Sequence, residues 1–184
     1  MGDIGDILYS VITEIGKDKI QSDITSNIDL SKQYIDKILS GCYKMIDSTD
    51  NESVGTLCEA LLHFMLTACT LPSARKVSID DINLDIVIPN VHTLRNSPDK
   101  AIIIQIIKNV SGLTKDEQEN LTKIQSNREN LWIVSREPYL GNYINYHIKS
   151  KNGTNASSRR FDDIITDIDK FLEHTKDRSF RFFH

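Results

Sequence analysis

The chain reads as an α/β protein: a mixed central sheet flanked by helices, with a helical N-terminal extension. Three observations predict this class. Apolar residues recur at helical spacing over roughly the first 70 residues. The pattern then changes to short runs of Ile, Leu and Val bounded by turn residues. From there, strand-like and helix-like stretches alternate, which is the signature of helices packed on a partly parallel sheet.

The elements follow in order. Ile4, Ile7, Leu8, Val11, Ile12 and Ile15 form one stripe of a first helix, stopped by Gly16. A second helix starts near Asp29 to Ser31 and places Tyr34, Ile35, Ile38, Leu39 and Met45 on or near one face. After a polar loop over Asp47 to Ser53, a third helix runs to Cys69 with Leu57, Leu61, Leu62, Met65 and Leu66 inward, and Leu71-Pro72-Ser73 ends it. Lys76 to Asp80 and Asn83 to Ile88 read as two strands joined tightly through Asp80-Asp81. Asn90 to Lys100 reads as a loop whose turn is Asn96-Ser97-Pro98-Asp99.

Ala101 to Lys108 is nearly all Ile, as expected of a central strand covered on both faces. Thr114 and Glu117 have the spacing of a capping box, which starts a polar helix ending near Asn127. Leu131 to Ser135 is a further strand, parallel to the Ile-rich one through a right-handed crossover. Tyr143 to Lys149 alternates like a half-buried edge strand, and a last helix carries Phe161, Ile164, Ile165, Ile168, Phe171 and Leu172 on one stripe. The division expected is a helical extension over 1–50 and an α/β domain over 51–184.

Composition bounds the function. The chain has 184 residues, 39% hydrophobic and 26% charged, which suits one soluble globular domain plus an extension. Net charge of −4 argues against strong non-specific affinity for nucleic acid while leaving room for a local basic groove. Cys42, Cys58 and Cys69 form no CxxC and lie among apolar neighbours, so reduced buried thiols are expected rather than zinc. The acidic Met1-Gly2-Asp3 start lacks the basic region of a secretory signal, and no apolar run approaches membrane-spanning length; a cytoplasmic protein is expected.

The chemistry-bearing residues interrupt the apolar strands. Asp85 sits inside Ile82 to Ile88, and Gln105 and Lys108 sit inside or at the end of the Ile-rich strand. Burying such groups is costly unless each has a partner. The layout of helix, antiparallel meander, helix and strand, with an Asp on the second strand and a Lys on the third, resembles the PD-(D/E)XK or restriction-endonuclease-like superfamily from about Ser53 to Ser135.

That resemblance implies an Asp and an acid–x–Lys pair holding a divalent metal, Mg²⁺ or Mn²⁺, with an acid on the first core helix in support. Mapped by position, Asp85, Gln105 and Lys108 are the catalytic candidates, and Asp85 and Glu59 the metal ligands. The pattern departs from the family in one place. The residue two before Lys108 is Ile106, where the family has a ligand. Gln105 and Lys108, three apart, should point to opposite faces. Glu59 on its own reads as a solvated helix residue near His63.

Two more features stand outside this site. Lys149, Lys151, Arg159 and Arg160 make a basic loop that could meet a phosphate backbone, and Phe180, Phe182 and Phe183 put aromatics in the C-terminal tail, where a partner could bury them. The degenerate motif points first to a non-catalytic nuclease-fold module that binds a protein partner, a second copy of itself or nucleic acid. The alternatives are a divalent-metal nuclease and a small assembly protein that dimerises. No membrane role is expected.

Overall fold

A computed structural model describes residues 3–139, 141–148 and 158–180, with side chains to residue 176. The N-terminal half is helical. In α1 (Ile4–Ile15), the Asp3 side chain caps the first turn by accepting from the Gly5 N–H, and Ile7, Leu8, Val11 and Ile12 are buried. Gly16, at φ 102°, takes a backbone conformation open to glycine and lets the chain re-enter a helix at once. This second helix, α2 (Lys17–Ser26), is absent from the sequence reading because only Ile20 and Ile24 give it an apolar face. Next comes α3 (Leu30–Cys42). Met45 lies beyond its end and is 48% exposed, so it is not an inward residue as its spacing suggested.

The central helix is α4 (Asn51–Ala68), capped by the Asp50 carboxylate accepting from Ser53 N–H. It is buried on most of its circumference, and it packs against α1, α2 and the sheet.

Six strands form one sheet in chain order: β1 (Ala74–Ile79), β2 (Ile82–Ile88), β3 (Ile102–Ile106), β4 (Leu131–Ser135), β5 (Ile144–His147) and β6 (Ser158–Arg160). β1, β2 and β3 pair antiparallel, and β3 to β6 pair parallel. β5 is therefore interior rather than the edge its alternation suggested. Its polar positions are buried because they are bonded: Asn145 donates to Ile133 O (3.0 Å) and Ser135 Oγ (2.8 Å) and accepts from Tyr139 N–H (2.8 Å). The expected 90–100 loop contains a short helix, α5 (Val91–Asn96), capped by Asn90.

Helices cover both faces. The larger core joins α1 to α4 and α7 (Ile164–Phe180) to one face through Ile86, Ile88, Ile102, Ile104, Ile106, Trp132 and Tyr146. The smaller lies on the other face, where Leu94 of α5 and Leu121 of α6 (Lys115–Ile124) meet Leu84, Val87, Ile103 and Ile133. The Thr114–Glu117 capping box opens α6 as its spacing predicts. Cys42, Cys58 and Cys69 are free thiols, and burial pushes the first and last up to about 11.

Candidate functional site

The site begins with an irregularity shared by two strands. In a regular strand, residues two apart share a face. Yet Leu84 belongs to the smaller core and Ile86 to the larger, while Leu84 and Val87, three apart, lie together. β1 shows the same shift, with Ala74 and Val77 both against the smaller core. Arg75 pairs with Ile86 and Val77 with Leu84, so the register skips Lys76 and Asp85 together. Lys76 takes φ 48°, a left-handed conformation that a lysine rarely adopts.

Where the β2–β3 ladder ends, at Ile86 opposite Ile104, side chains continue it. Asp85 N–H donates to Gln105 Oε1 (2.7 Å), and Ile106 N–H donates to Asp85 Oδ2 (2.8 Å). Gln105 Nε2 also donates to Asn83 O (3.4 Å). The Gln105 amide thus satisfies the backbone of β2. It is a structural clip in this arrangement.

Lys108 follows β3 and leans on α4. Gly55 makes this approach possible: a Cβ there would lie 2.8 Å from Lys108 Cγ and 3.0 Å from Ile107 O. One helical turn on, Glu59 presents its carboxylate to Lys108, with Nζ to Oε2 at 2.6 Å. Glu59 is only 5% exposed, unlike the solvated helix residue that its sequence context suggested. Arg75 and Lys76 reach its other oxygen, Oε1, at 3.5 and 3.9 Å.

The two carboxyls shift in opposite directions. Burial pushes Glu59 up, but the Lys108 hydrogen bond and the charges of Lys108, Lys76 and Arg75 outweigh it and hold Glu59 below the ordinary range. Burial also pushes Asp85 up. The Ile106 N–H, Lys108 and Lys76 oppose this, the Glu59 charge adds to it, and the net direction is upward. Asp85 and Glu59 are therefore electrostatic neighbours. Glu59 of α4 pairs with Lys108 just after β3, and Asp85 of β2 bonds the Ile106 N–H two residues before that lysine.

Can these residues hold a divalent metal? Mg²⁺ at phosphoryl-transfer sites is commonly held by only one or two carboxylates, with water and substrate phosphate completing its shell. Glu59 and Asp85 supply two. Glu59 Oε1 accepts no hydrogen bond and is held only at ion-pair distance by Arg75 and Lys76, so a metal there would have to displace those cations. Ile106, by contrast, points into the larger core and supplies nothing. In number and type, two carboxylates match what such a metal needs. Among the described residues there is no cluster of three or more His, Cys, Asp or Glu side chains suited to a metal.

Arg75 and Lys76 escaped the sequence reading. Adjacent residues of a regular strand face opposite ways, so nothing in the local pattern placed both at one carboxylate. The other expected contacts lie elsewhere. Arg159 sits on β6, donates to Asp167 Oδ2 (2.9 Å) and Tyr146 Oη (3.2 Å), and lies over the Tyr146 ring. Arg160 is paired with Asp162 at 2.8 and 3.0 Å. These arginines staple β6 to the segment that follows it. Lys149, Lys151, Phe182 and Phe183 lie outside the described residues, as does the side chain of Phe180.

No protein-family model and no curated protein matches the chain. Solved structures do. Metal-depleted Ecl18kI in complex with uncleaved, modified DNA is similar at TM-score 0.63 and 14% identity, over 95% of this chain and 80% of that one. The complex of restriction endonuclease PspGI with substrate DNA is similar at TM-score 0.55 and 18% identity, over 95% of this chain and 94% of that one. Similarity this extensive, with the six-stranded mixed sheet and its covering helices, gives the chain the restriction-endonuclease-like fold.

Proposed function

We propose that the protein hydrolyses phosphodiester bonds of nucleic acid with the help of a divalent metal. The observation that carries this reading is the Glu59–Lys108 pair at the end of β3, with the Asp85 carboxylate bonded to the Ile106 N–H two residues before the lysine. Glu59 and Asp85 would hold the metal. When bound, it would supply Lewis-acid polarisation of the phosphate and a more acidic water. The chain's own residues do the rest. Lys108 holds a positive charge beside the reacting phosphate. Glu59 stays ionised under its basic neighbours, and Asp85 is held in place by the Ile106 N–H. The neighbours Ecl18kI and PspGI, both solved on DNA, support nucleic acid as the substrate class.

A second reading, binding without cleavage, is favoured by Ile106. An apolar residue two before Lys108 leaves the metal one protein ligand fewer than the fold's usual motif. A Mn²⁺ titration of the wild type and Asp85→Ala separates the two. Saturable binding at millimolar affinity or tighter, lost in Asp85→Ala and accompanied by Mn²⁺-dependent cutting of single-stranded, duplex or branched DNA or of RNA, supports hydrolysis. Absence of Asp85-dependent binding leaves the binding module.

A further inference from the structure

We infer that Arg75 and Lys76 of β1 form, with Lys108, a cradle for a phosphodiester group, and that the left-handed turn at Lys76 is what assembles it. This deepens the proposed function and rests on it for the identity of the anion. Three observations carry the inference.

The first is geometric. Consecutive strand residues project to opposite faces. Arg75 and Lys76 nevertheless reach the same Glu59 oxygen, at 3.5 and 3.9 Å. The skipped register at Lys76 and Asp85, with φ 48° at Lys76, accounts for it. Left-handed backbone at a non-glycine residue is costly and persists where the surroundings hold it in place, often at functional sites.

The second is charge. Arg75, Lys76 and Lys108 stand against Glu59 and Asp85, so three cations face two carboxylates even with both ionised. A surplus of positive charge, on a chain of net charge −4, marks a place for an anion.

The third is an unmet donor. Arg75 Nε is buried and has no hydrogen-bond partner, and the guanidinium approaches Glu59 only at ion-pair distance. The Arg75 side chain keeps 32% of its surface exposed, and a planar guanidinium is shaped to give two parallel bonds to phosphate oxygens. Lys76 is exposed and long enough to follow the same group.

The test measures binding apart from cutting. Wild type, Arg75→Gln, Lys76→Gly and the control Lys37→Gln on α3 would be titrated against short fluorescein-labelled duplex and single-stranded DNA by anisotropy. All titrations are run in EDTA over a range of salt. Glycine at 76 permits the left-handed backbone while removing the cation. Thermal melts confirm that each variant is folded. The expected result is a Kd about tenfold weaker for each site variant, with a salt dependence shallower by about one ion per contact, and no change in the control.

If the site variants bind as the wild type does, the cradle is refuted, while Asp85-dependent cutting in Mn²⁺ would leave the hydrolysis reading standing. If they lose affinity and no Mn²⁺-dependent cutting is found, the cradle stands and hydrolysis falls. A wild type that binds neither probe overturns the inference outright.

Discussion

Asp85 is a carboxylate at a position where burial alone favours an apolar side chain. Its folded pKa lies above the ordinary Asp value of about 3.9. Such a group binds more protons folded than unfolded. It therefore costs stability above its folded pKa, and the cost fades as pH falls towards the unfolded value. Asp85→Asn keeps an acceptor for Ile106 N–H, so it should melt higher than the wild type at neutral pH, with the advantage shrinking in acid. A lower melting temperature at neutral pH would mean that the surrounding cations stabilise the carboxylate by more than burial costs it. Glu59 has the opposite sign. Its depressed pKa gives stability at neutral pH that is lost as pH falls through its folded value. At the β1–β2 turn, Asp80 and Asp81 both take positive φ, 49° and 62°. Asn-Gly suits such a turn far better. Asp80→Asn with Asp81→Gly should add about 1 kcal/mol, seen as a rise of about 3 °C in Tm.

Among the elements, α4 and β3 set the site between them, and Gly55 sets their separation. A methyl group at that position would press on Lys108 Cγ at 2.8 Å and on the Ile107 carbonyl oxygen at 3.0 Å. The side chain can give way but the carbonyl cannot do so cheaply. Gly55→Ala should cost roughly 2 kcal/mol in chemical denaturation and loosen the Glu59–Lys108 pair. A variant with wild-type stability would show that the helix and strand can part without strain. The elements differed in how well the sequence announced them. The Ile-rich β3 and the capping box of α6 were plain because local chemistry alone dictates them. α2 was not, because a helix with two inward residues is held by its neighbours rather than by its own pattern. β5 looked like an edge because its alternation implies a wet face. Asn145 shows why that inference failed: a side chain bonded on three sides can be buried as well as an apolar one. β6, three residues long with two of them arginine, carries no apolar signal at all.

At the scale of the whole molecule, the fold was legible because the order of helices, meander and crossover is written in periodicity. The candidate site was legible only in part. Glu59, Asp85 and Lys108 could be picked out as polar residues in an established layout, but their arrangement depends on Gly55 and on the change of face at Asp85, which are tertiary facts. Arg75 and Lys76 depend wholly on that change of face. The kink at Lys76 has another effect, on how copies of the protein meet. β1 borders the sheet, and a flat border strand offers its outward N–H and C=O groups to any neighbour. The turned backbone at Lys76 interrupts that row at mid-strand and sets a charge upon it, while the opposite border is too short and too basic to template another chain. Lys76→Val, β-branched and averse to positive φ, should straighten β1 and open it to edge-to-edge pairing. Light scattering should then rise with concentration, whereas a Lys76→Val protein that stays monodisperse would show that the border is protected by other means. On this view the lysine that shapes the site also keeps the sheet from growing into its neighbours.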